Sequence, residues 1–375
     1  MMHPVIVGGG LAGGAAAALL AARGQRPLVL ERERGPKDKI CGEFLSTEAQ
    51  AHLAALGLDI GRLGGSPIRA VRMVAGERAI DRPLPFTALG LTRRRLDEAL
   101  LTHAESLGAE VRRGVSVRNV GDGSLETSDG ALDAPVLLLA SGKHDVRGAR
   151  RELGRGTLRG MVGFKSHWRL APGQRAALAG FVEVVLFDGG YAGLQPVDGG
   201  LANLCLVVQQ DRFEAAGQAW PTLLERLRGE PHLARRLENA EPVTARPLTV
   251  ADIPYGYVHA GGGPDGLYRL GDQAAVIPSF SGDGMAIALH SARLAARAVL
   301  EGAPARAYHR RLQGDVARQI QLAVWLQRRA EGWPGRHAAI AALGLVPSAL
   351  PRLAAWTRVP DAALRRAGLG TAWAL

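Results

Sequence analysis

Close to its start the chain runs Pro4-Val-Ile-Val-Gly8, then Gly9-Gly10-Leu-Ala-Gly13, then an Ala/Leu stretch with hardly a polar residue to Arg23, then Pro27-Leu-Val-Leu-Glu31. A short apolar run, a glycine turn, a long helix-forming stretch and a second apolar run predict strand, turn, helix and strand. Gly8 permits the tight turn, Gly10 lets the backbone approach a pyrophosphate with no Cβ in the way, and Gly13 allows close helix–strand packing. The free N–H groups and the dipole at the helix N-terminus favour that pyrophosphate. Glu31, followed by Arg32, ends the second strand, where a carboxylate accepts from the hydroxyls of an adenosine ribose lacking a 2′-phosphate.

Helical spacing returns at 47–56 and 93–107, with a β-run at 110–113. Alternating runs at 115–120 and 125–128, separated by Gly/Asp turns, predict a β-meander. Residues 136–142 predict a buried strand ending in the small-residue turn Ala140-Ser-Gly142. Strands at about 161–168, 181–187, 191–195 and 201–208 follow, then two or three short helices within 213–237. At 267–285 a strand ends in Gly271-Asp272, a loop passes through Pro278, and Gly282 and Gly284 open a helix reaching about 300. The expected architecture is α/β: a Rossmann-like dinucleotide domain built from 1–150 and 265–300, an inserted antiparallel-sheet substrate domain over 151–264 to which 65–90 contributes strands, and C-terminal helices over 301–375.

Composition narrows the class. A chain of 375 residues, 47% hydrophobic, is long enough for two domains with a substantial core. No uninterrupted apolar run reaches the ~20 residues needed to span a bilayer, and the N-terminal apolar segment lacks a basic leader, so a cytoplasmic protein is expected. Cys41 and Cys205 are the two cysteines, which gives neither a disulfide framework nor a zinc pattern. The net charge of +11 is concentrated after residue 300, where eleven arginines face four acids. Four of the six tryptophans, Trp325, Trp333, Trp356 and Trp373, lie there as well. A basic, Trp-bearing helical tail fits peripheral contact with an anionic membrane. The competing reading is a set of surface helices, since Tyr308, Leu312, Val316, Ile320 and Val324 recur as a packed face does. Nucleic-acid binding is not expected, because no recognition module is present.

Two strand–glycine–helix sites, far apart in sequence, are explained by one ligand long enough to touch both, and FAD is such a molecule. On these residues the chain resembles the FAD-dependent oxidoreductases that include para-hydroxybenzoate hydroxylase and the geranylgeranyl reductases. The resemblance rests on Gly8-x-Gly10-x-x-Gly13 with Glu31, on the Lys39-x-Cys41-Gly42 loop, on Arg93 before Leu96-Asp97, on Gly271-Asp272, and on Pro278 with Gly282-Asp-Gly-Met285. It implies that Asp272 binds the ribityl hydroxyls and that Arg93 lies near the ribityl or pyrophosphate. It also implies that the amides from Gly282 through Gly284 to Met285 face the flavin N1/O2 edge, where a helix N-terminus stabilises the charge of reduced flavin. Cys41 would lie near the isoalloxazine ring. Where the aromatic hydroxylases carry Asp-Gly after the strand at 136–140, this chain has Ser141-Gly142. No second GxGxxG offers a separate NAD(P)H domain, so NAD(P)H is expected as a transient reductant only. The GWxWxIP signature of tryptophan halogenases is absent.

The middle sheet should wall the substrate pocket, with Phe164, His167, Tyr191 and Gln195 as candidates. Cys41, His167, Tyr191 and Gln195 are the candidate catalytic residues, and no metal site is expected. The substrate is expected to be a small apolar metabolite. The first reading is a monooxygenase that uses NAD(P)H and O2 to hydroxylate an aromatic or polyketide-like compound. The alternative is a geranylgeranyl-reductase-like ene reductase acting on isoprenoid double bonds, and a non-catalytic FAD-bearing or membrane-docking protein is a third.

Overall fold

The computed structural model describes residues 3–330, 333–346 and 348–370, apart from the side chains at 330, 333, 334 and 339. In chain order the first elements are β1 (Val5–Val7), α1 (Leu11–Ala21), β2 (Leu28–Glu31), β3 (Phe44–Leu45), α2 (Thr47–Ala54), a long hairpin of β4 (Ser66–Ala75) and β5 (Arg78–Gly90), α3 (Arg93–Ser106) and β6 (Glu110–Arg113). A meander of β7 (Val117–Val120), β8 (Ser124–Thr127) and β9 (Gly130–Asp133) leads to β10 (Leu137–Leu139). The middle of the chain forms β11 (Met161–Arg169), α4 (Pro172–Leu178), β12 (Gly180–Phe187), β13 (Gly190–Pro196), β14 (Ala202–Gln209), helices α5 (Gln210–Ala215), α6 (Trp220–Arg228) and α7 (Pro231–Arg236), and short β15 (Glu241–Pro242) and β16 (Leu248–Val250). Then come β17 (Leu267–Arg269), α8 (Gly284–Leu300), α9 (Ala305–Ala330), α10 (Trp333–Leu345), α11 (Ala349–Trp356) and α12 (Asp361–Arg366).

The first sheet is parallel, in the order β17-β10-β1-β2-β6, so a strand from residue 267 onward completes a sheet begun at residue 5. The central strands β1, β2 and β10 are short, buried, mostly apolar runs because both faces are covered, while the edge strand β6 is polar and half-exposed. Helix α1 is built almost wholly of Ala and Gly, which lets neighbouring elements approach its backbone. A Cβ at Gly14 would lie 3.2 Å from Leu100 Cγ of α3, and one at Gly271 would lie 3.3 Å from Ala12 Cβ.

The second sheet has nine strands, eight on its main path, β15-β11-β14-β13-β12-β4-β5-β3, with β16 pairing β11 beside it. The strands expected at 161–208 are present nearly to the residue. One pairing departs from the expected antiparallel pattern: β12 runs parallel to β4, which joins the middle block to residues 66–75. The period of two divides the side chains of this sheet between its faces. Val162, Phe164, Leu194, Leu204, Leu206 and Val208 pack under α5–α7 in one core, while Val184, Leu186, Tyr191 and Val207 pack with Ile253, Tyr255 and Val276 on the opposite face. Phe164 was expected in the pocket, but it stacks against Trp220 and meets Phe213 edge-on in the first of these cores. Its separation from His167 is odd, so the strand sends the two to opposite faces.

In α9, Tyr308, Leu312, Val316, Ile320 and Val324 are all buried, as a packed face requires. Trp325 and Trp356 are not: they are 53% and 62% exposed. The side chains of Trp333 and Trp373 lie outside the described residues.

Candidate active site

Gly8 ends β1 with φ +99°, and a Cβ there would meet the Ala140 carbonyl oxygen at 2.5 Å. A Cβ at Gly13 would sit 1.8 Å from the Gly8 carbonyl oxygen. Both glycines are therefore demanded by the chain's own packing. Gly10 is different, because the nearest protein atom to a Cβ there is Arg93 Nη2 at 3.4 Å. Side-chain space exists at Gly10 within the protein, and what needs it clear is a group laid against the α1 N-terminus. This cradle fits a pyrophosphate, which the unpaired first-turn amides of α1 would hold. Glu31 is buried, and its two carboxylate oxygens accept from Gly9 N–H at 2.7 Å and Glu33 N–H at 2.9 Å. It thus braces the turn from the position where a ribose would be read. Arg32 is turned outward and pairs with Glu33 at 3.2 Å.

Arg93 opens α3 and forms a two-pronged pair with Asp97, at 2.7 and 2.8 Å. Burial disfavours its charge, but Asp97 and then Cys41 more than offset that, and its pKa is raised. The Arg93 guanidinium thus stands between the Gly10 turn and Cys41. Asp272, which follows β17, accepts from Lys143 Nζ at 2.7 Å. Burial raises the Asp272 carboxyl, yet Lys143, Arg151 and Arg93 hold it below the usual range. Lys143 lies directly after Ser141-Gly142, so the turn that departs from the hydroxylase pattern brings a cation to Asp272, the acid expected to bind the ribityl hydroxyls. Gly282 has φ +69°, and a Cβ there would press to 2.8 Å from Phe44 Cδ1. Gly284 begins α8, and Met285 is buried in the core beneath it. Asp283, between the two glycines, points away from this edge. It accepts from Gln319 Nε2 at 3.1 Å and from Val359 N–H at 3.0 Å, and lies 3.6 Å from Arg358 Nη1.

The Cys41 loop is stapled to the second sheet. Asn203 Nδ2 on β14 donates to the Cys41 carbonyl at 3.1 Å and to the Gly42 carbonyl at 2.8 Å. Lys165 on β11 donates to the Lys39 carbonyl at 3.0 Å and pairs with the Glu43 carboxylate. Glu43 is fully buried in a left-handed conformation, φ +60°, and it also accepts from His167 Nε2 at 2.7 Å and from Arg93 N–H at 2.8 Å. Burial pushes its carboxyl up, but the His167 hydrogen bond and the Lys165 charge bring it below the ordinary value. A left-handed glutamate is costly, and three partners on two elements, β11 and α3, hold its carboxylate there. Asp38, Glu43 and His167 are close enough together to ligate a metal, but Lys165 Nζ stands among them, 4.0 Å from Asp38 Oδ1, where a cation would go. His167 therefore anchors the loop through Glu43. The thiol of Cys41 accepts from Glu43 N–H at 3.3 Å, while burial pushes the Cys205 thiol up to about 12.

Tyr191 and Gln195 lie on the same sheet face as Lys165, His167 and Asn203. Tyr191 Oη hydrogen-bonds Ser279 Oγ and accepts from Phe280 N–H at 3.1 Å, and Tyr255 Oη donates to the same Ser279 Oγ at 2.9 Å. Burial raises the pKa of both phenols. Gln195 is buried beside Asn203, with no hydrogen-bond partner at its Nε2. Sequence reading did not find Glu43, Lys143, Lys165, Asn203, Tyr255 or Ser279. Glu43 alone carried a local signal, as the residue directly after Cys41-Gly42.

A parallel sheet with a glycine turn, a buried acid closing its second strand and a late-returning strand that ends in Gly-Asp define a Rossmann-like dinucleotide-binding fold. Residues 6–52 match the family described as an NAD(P)-binding Rossmann-like domain. The menaquinone reductase of Mycobacterium tuberculosis strain H37Rv is 28% identical over 310 residues, spanning 78% of this chain and 75% of that protein. The squalene monooxygenase of Candida glabrata is 27% identical over 187 residues, spanning 44% of this chain and 37% of that protein. The solved flavin-dependent brominase Bmp2 superposes with a TM-score of 0.75 at 18% identity, covering 96% of this chain and 95% of that one. These matches make the chain similar to FAD-dependent oxidoreductases, the superfamily that its sequence motifs resemble.

Proposed function

We propose that this protein is an FAD-dependent reductase that adds hydrogen across a double bond of a lipophilic, isoprenoid-type substrate. The observation that carries this reading is the hydroxyl chain that Tyr191 of β13 and Tyr255 form through Ser279 of the Pro278–Gly282 loop. Saturating a carbon–carbon double bond requires a hydride equivalent on one carbon and a proton on the other. Both phenols are buried with raised pKa values, so each holds its proton at neutral pH and serves as an acid rather than a base. The Gly8 to Gly13 turn, Arg93 and Asp272 would hold FAD, which, once reduced by NAD(P)H, would supply the hydride equivalent. A proton given up at one phenol is replaced along the chain, because Tyr255 donates to Ser279 Oγ and Ser279 faces Tyr191. The similarity to menaquinone reductases supports this reading, as do the Lys39-x-Cys41-Gly42 loop and the absence of the hydroxylase Asp-Gly pair.

A second reading, hydroxylation of an aromatic or polyketide-like apolar metabolite with NAD(P)H and O2, draws its support from the similarity to squalene monooxygenase. One experiment separates the two. The FAD-loaded protein is reduced without oxygen, then mixed with a polyprenyl menaquinone or with geranylgeranyl diphosphate, and the flavin absorbance and product mass are followed. Return of oxidised flavin with a lipid heavier by two hydrogens, a gain that persists after any quinol is reoxidised to the quinone, supports the reductase. If the lipids leave the flavin reduced, and readmitted oxygen yields a product carrying one added oxygen atom, the reductase reading fails and the second stands.

A further inference from the structure

A separate surface lies at the C-terminal corner. Helices α10 and α11 meet at a sharp turn, with the segments on either side inclined by 112°. The turn exposes apolar side chains: Leu345 is 84% exposed and Val346 49%, and Trp356 closes α11 at 62%. Helix α11, Ala-Leu-Pro-Arg-Leu-Ala-Ala-Trp, has no buried residue although six of its eight residues are Ala, Leu or Trp. Its outermost positions, Arg352, Ala355 and Trp356, fall on one side at helical spacing, with Leu350 and Leu353 half-buried behind them. A helix this apolar that buries nothing is unusual in water, where such a face is normally covered. No single helix among the described residues is long and apolar enough to cross a membrane, and the two segments of this corner that are apolar enough together are bent by 112°, a shape that suits an apolar wedge at a bilayer surface.

Charge selects the kind of surface. From residue 333 to the end the sequence has five arginines and one acid, Asp361; Arg336 and Arg358 are buried, which leaves Arg352, Arg365 and Arg366 on the surface, the last paired with Asp315. Arg352 is exposed on α11 itself, and Trp325, with the Arg329 guanidinium 5.4 Å from its ring centroid, is exposed near the end of α9. Tryptophan and leucine with flanking arginines match the boundary between acyl chains and anionic headgroups. The corner is also rigidly mounted. Arg82 of β5 donates to the Leu343 carbonyl at 3.2 Å, and a Cβ at Gly344 would lie 3.3 Å from Ile80 Cδ1. Farther along, Arg358 lies 4.7 Å from the Phe86 ring centroid and 5.6 Å from that of Phe44, the ring that presses on Gly282. We infer that the α10–α11 corner docks this protein on an anionic phospholipid surface, through Leu345, Val346 and Trp356 in the acyl boundary and Arg352 at the headgroups. The inference stands on the surface alone and does not depend on the reaction proposed above.

The test is flotation of the FAD-loaded full chain with vesicles of phosphatidylglycerol in phosphatidylcholine and with vesicles of phosphatidylcholine alone. The wild-type protein should float with the anionic vesicles, lose that binding at high salt and bind the neutral vesicles weakly. The double variant L345E/W356E should partition at least about tenfold more weakly, with flavin content and far-UV dichroism unchanged. Because both residues are exposed, the variant is expected to fold. Failure of the wild-type protein to float with anionic vesicles overturns the inference, as does equal flotation of the double variant. A wild-type dimer that the same substitutions dissociate would identify a second copy as the occupant and overturn it too.

Discussion

Asn203 reaches 161 residues back along the sequence to donate from Nδ2 to the Gly42 carbonyl at 2.8 Å, and the same amide donates to the Cys41 carbonyl at 3.1 Å. The position of the Cys41 loop is therefore set by the second sheet and not by the loop's own turn. Asn203→Ala would leave two loop carbonyls without their donor, at a cost of about 1–3 kcal/mol. The expected result is a lower melting temperature together with faster modification of Cys41 by a thiol reagent. Cys205, buried in the sheet, should stay slow. An unchanged Cys41 rate would show that the loop is held by something else.

Two glycines of one turn should fail in different ways. Gly10→Val has room within the protein but occupies the pyrophosphate position, so it should give folded protein without flavin. Gly13→Ala would drive a Cβ to 1.8 Å from the Gly8 carbonyl, so it should fail to fold or melt far below wild type. Flavin absorbance per mole of folded protein, read beside the dichroism melt, distinguishes the two. Full flavin content in Gly10→Val would refute the assignment of the turn.

Glu183 is fully buried and paired with Arg72, His232 and Arg236. Burial raises its carboxyl, but hydrogen bonds from His232 and Arg236 and their charges bring it from 4.5 down to about 2. A carboxylate depressed in the folded state stabilises above its unfolded pKa, and that stability drains away as pH falls toward the folded value. Wild type should exceed Glu183→Gln by about 3 kcal/mol at neutral pH. The gap should begin to narrow near pH 4.5 and close toward about 2. Denaturant melts of both proteins across that range check this, and a gap that does not move with pH would contradict it.

Removing the phenols should separate cofactor binding from chemistry. Tyr191→Phe together with Tyr255→Phe should keep full flavin and normal reduction by NAD(P)H, yet slow product formation by about 10²-fold, as loss of a general acid does. Rapid-mixing rates for the reductive step and for product formation check the two halves separately. Equal slowing of both would assign the tyrosines a structural role.

The nucleotide half of the protein was legible because its signals are local. Gly8, Gly10, Gly13 and Glu31 fall within one strand–turn–helix–strand unit, and Gly271-Asp272 ends an apolar strand in the same manner. The strands at 161–208 were legible for the same reason, although the parallel pairing of β12 with β4 joins residues more than a hundred positions apart and leaves no local trace. Phe164 was misplaced although the period of two was enough to separate it from His167. That strand is buried on both faces, so its apolar pattern does not mark which face meets the site. Glu43, Lys165 and Asn203 escaped notice because their roles exist only once the loop and the sheet are brought together. Lys143 shows the opposite case: the turn Ser141-Gly142 was seen to depart from the hydroxylase pattern, but its partner Asp272 lies 129 residues away.

The measurement that bears most directly on the account is the visible spectrum of the purified protein, reduced without oxygen and then mixed with a polyprenyl quinone before any oxygen is admitted. The account predicts a bound flavin that bleaches on reduction and recovers its oxidised spectrum at the expense of the lipid, whose mass rises by two hydrogens. A protein with intact fold and no flavin would contradict the cofactor assignment. Flavin that stays reduced with the lipid and recovers only with oxygen would contradict the proposed reaction.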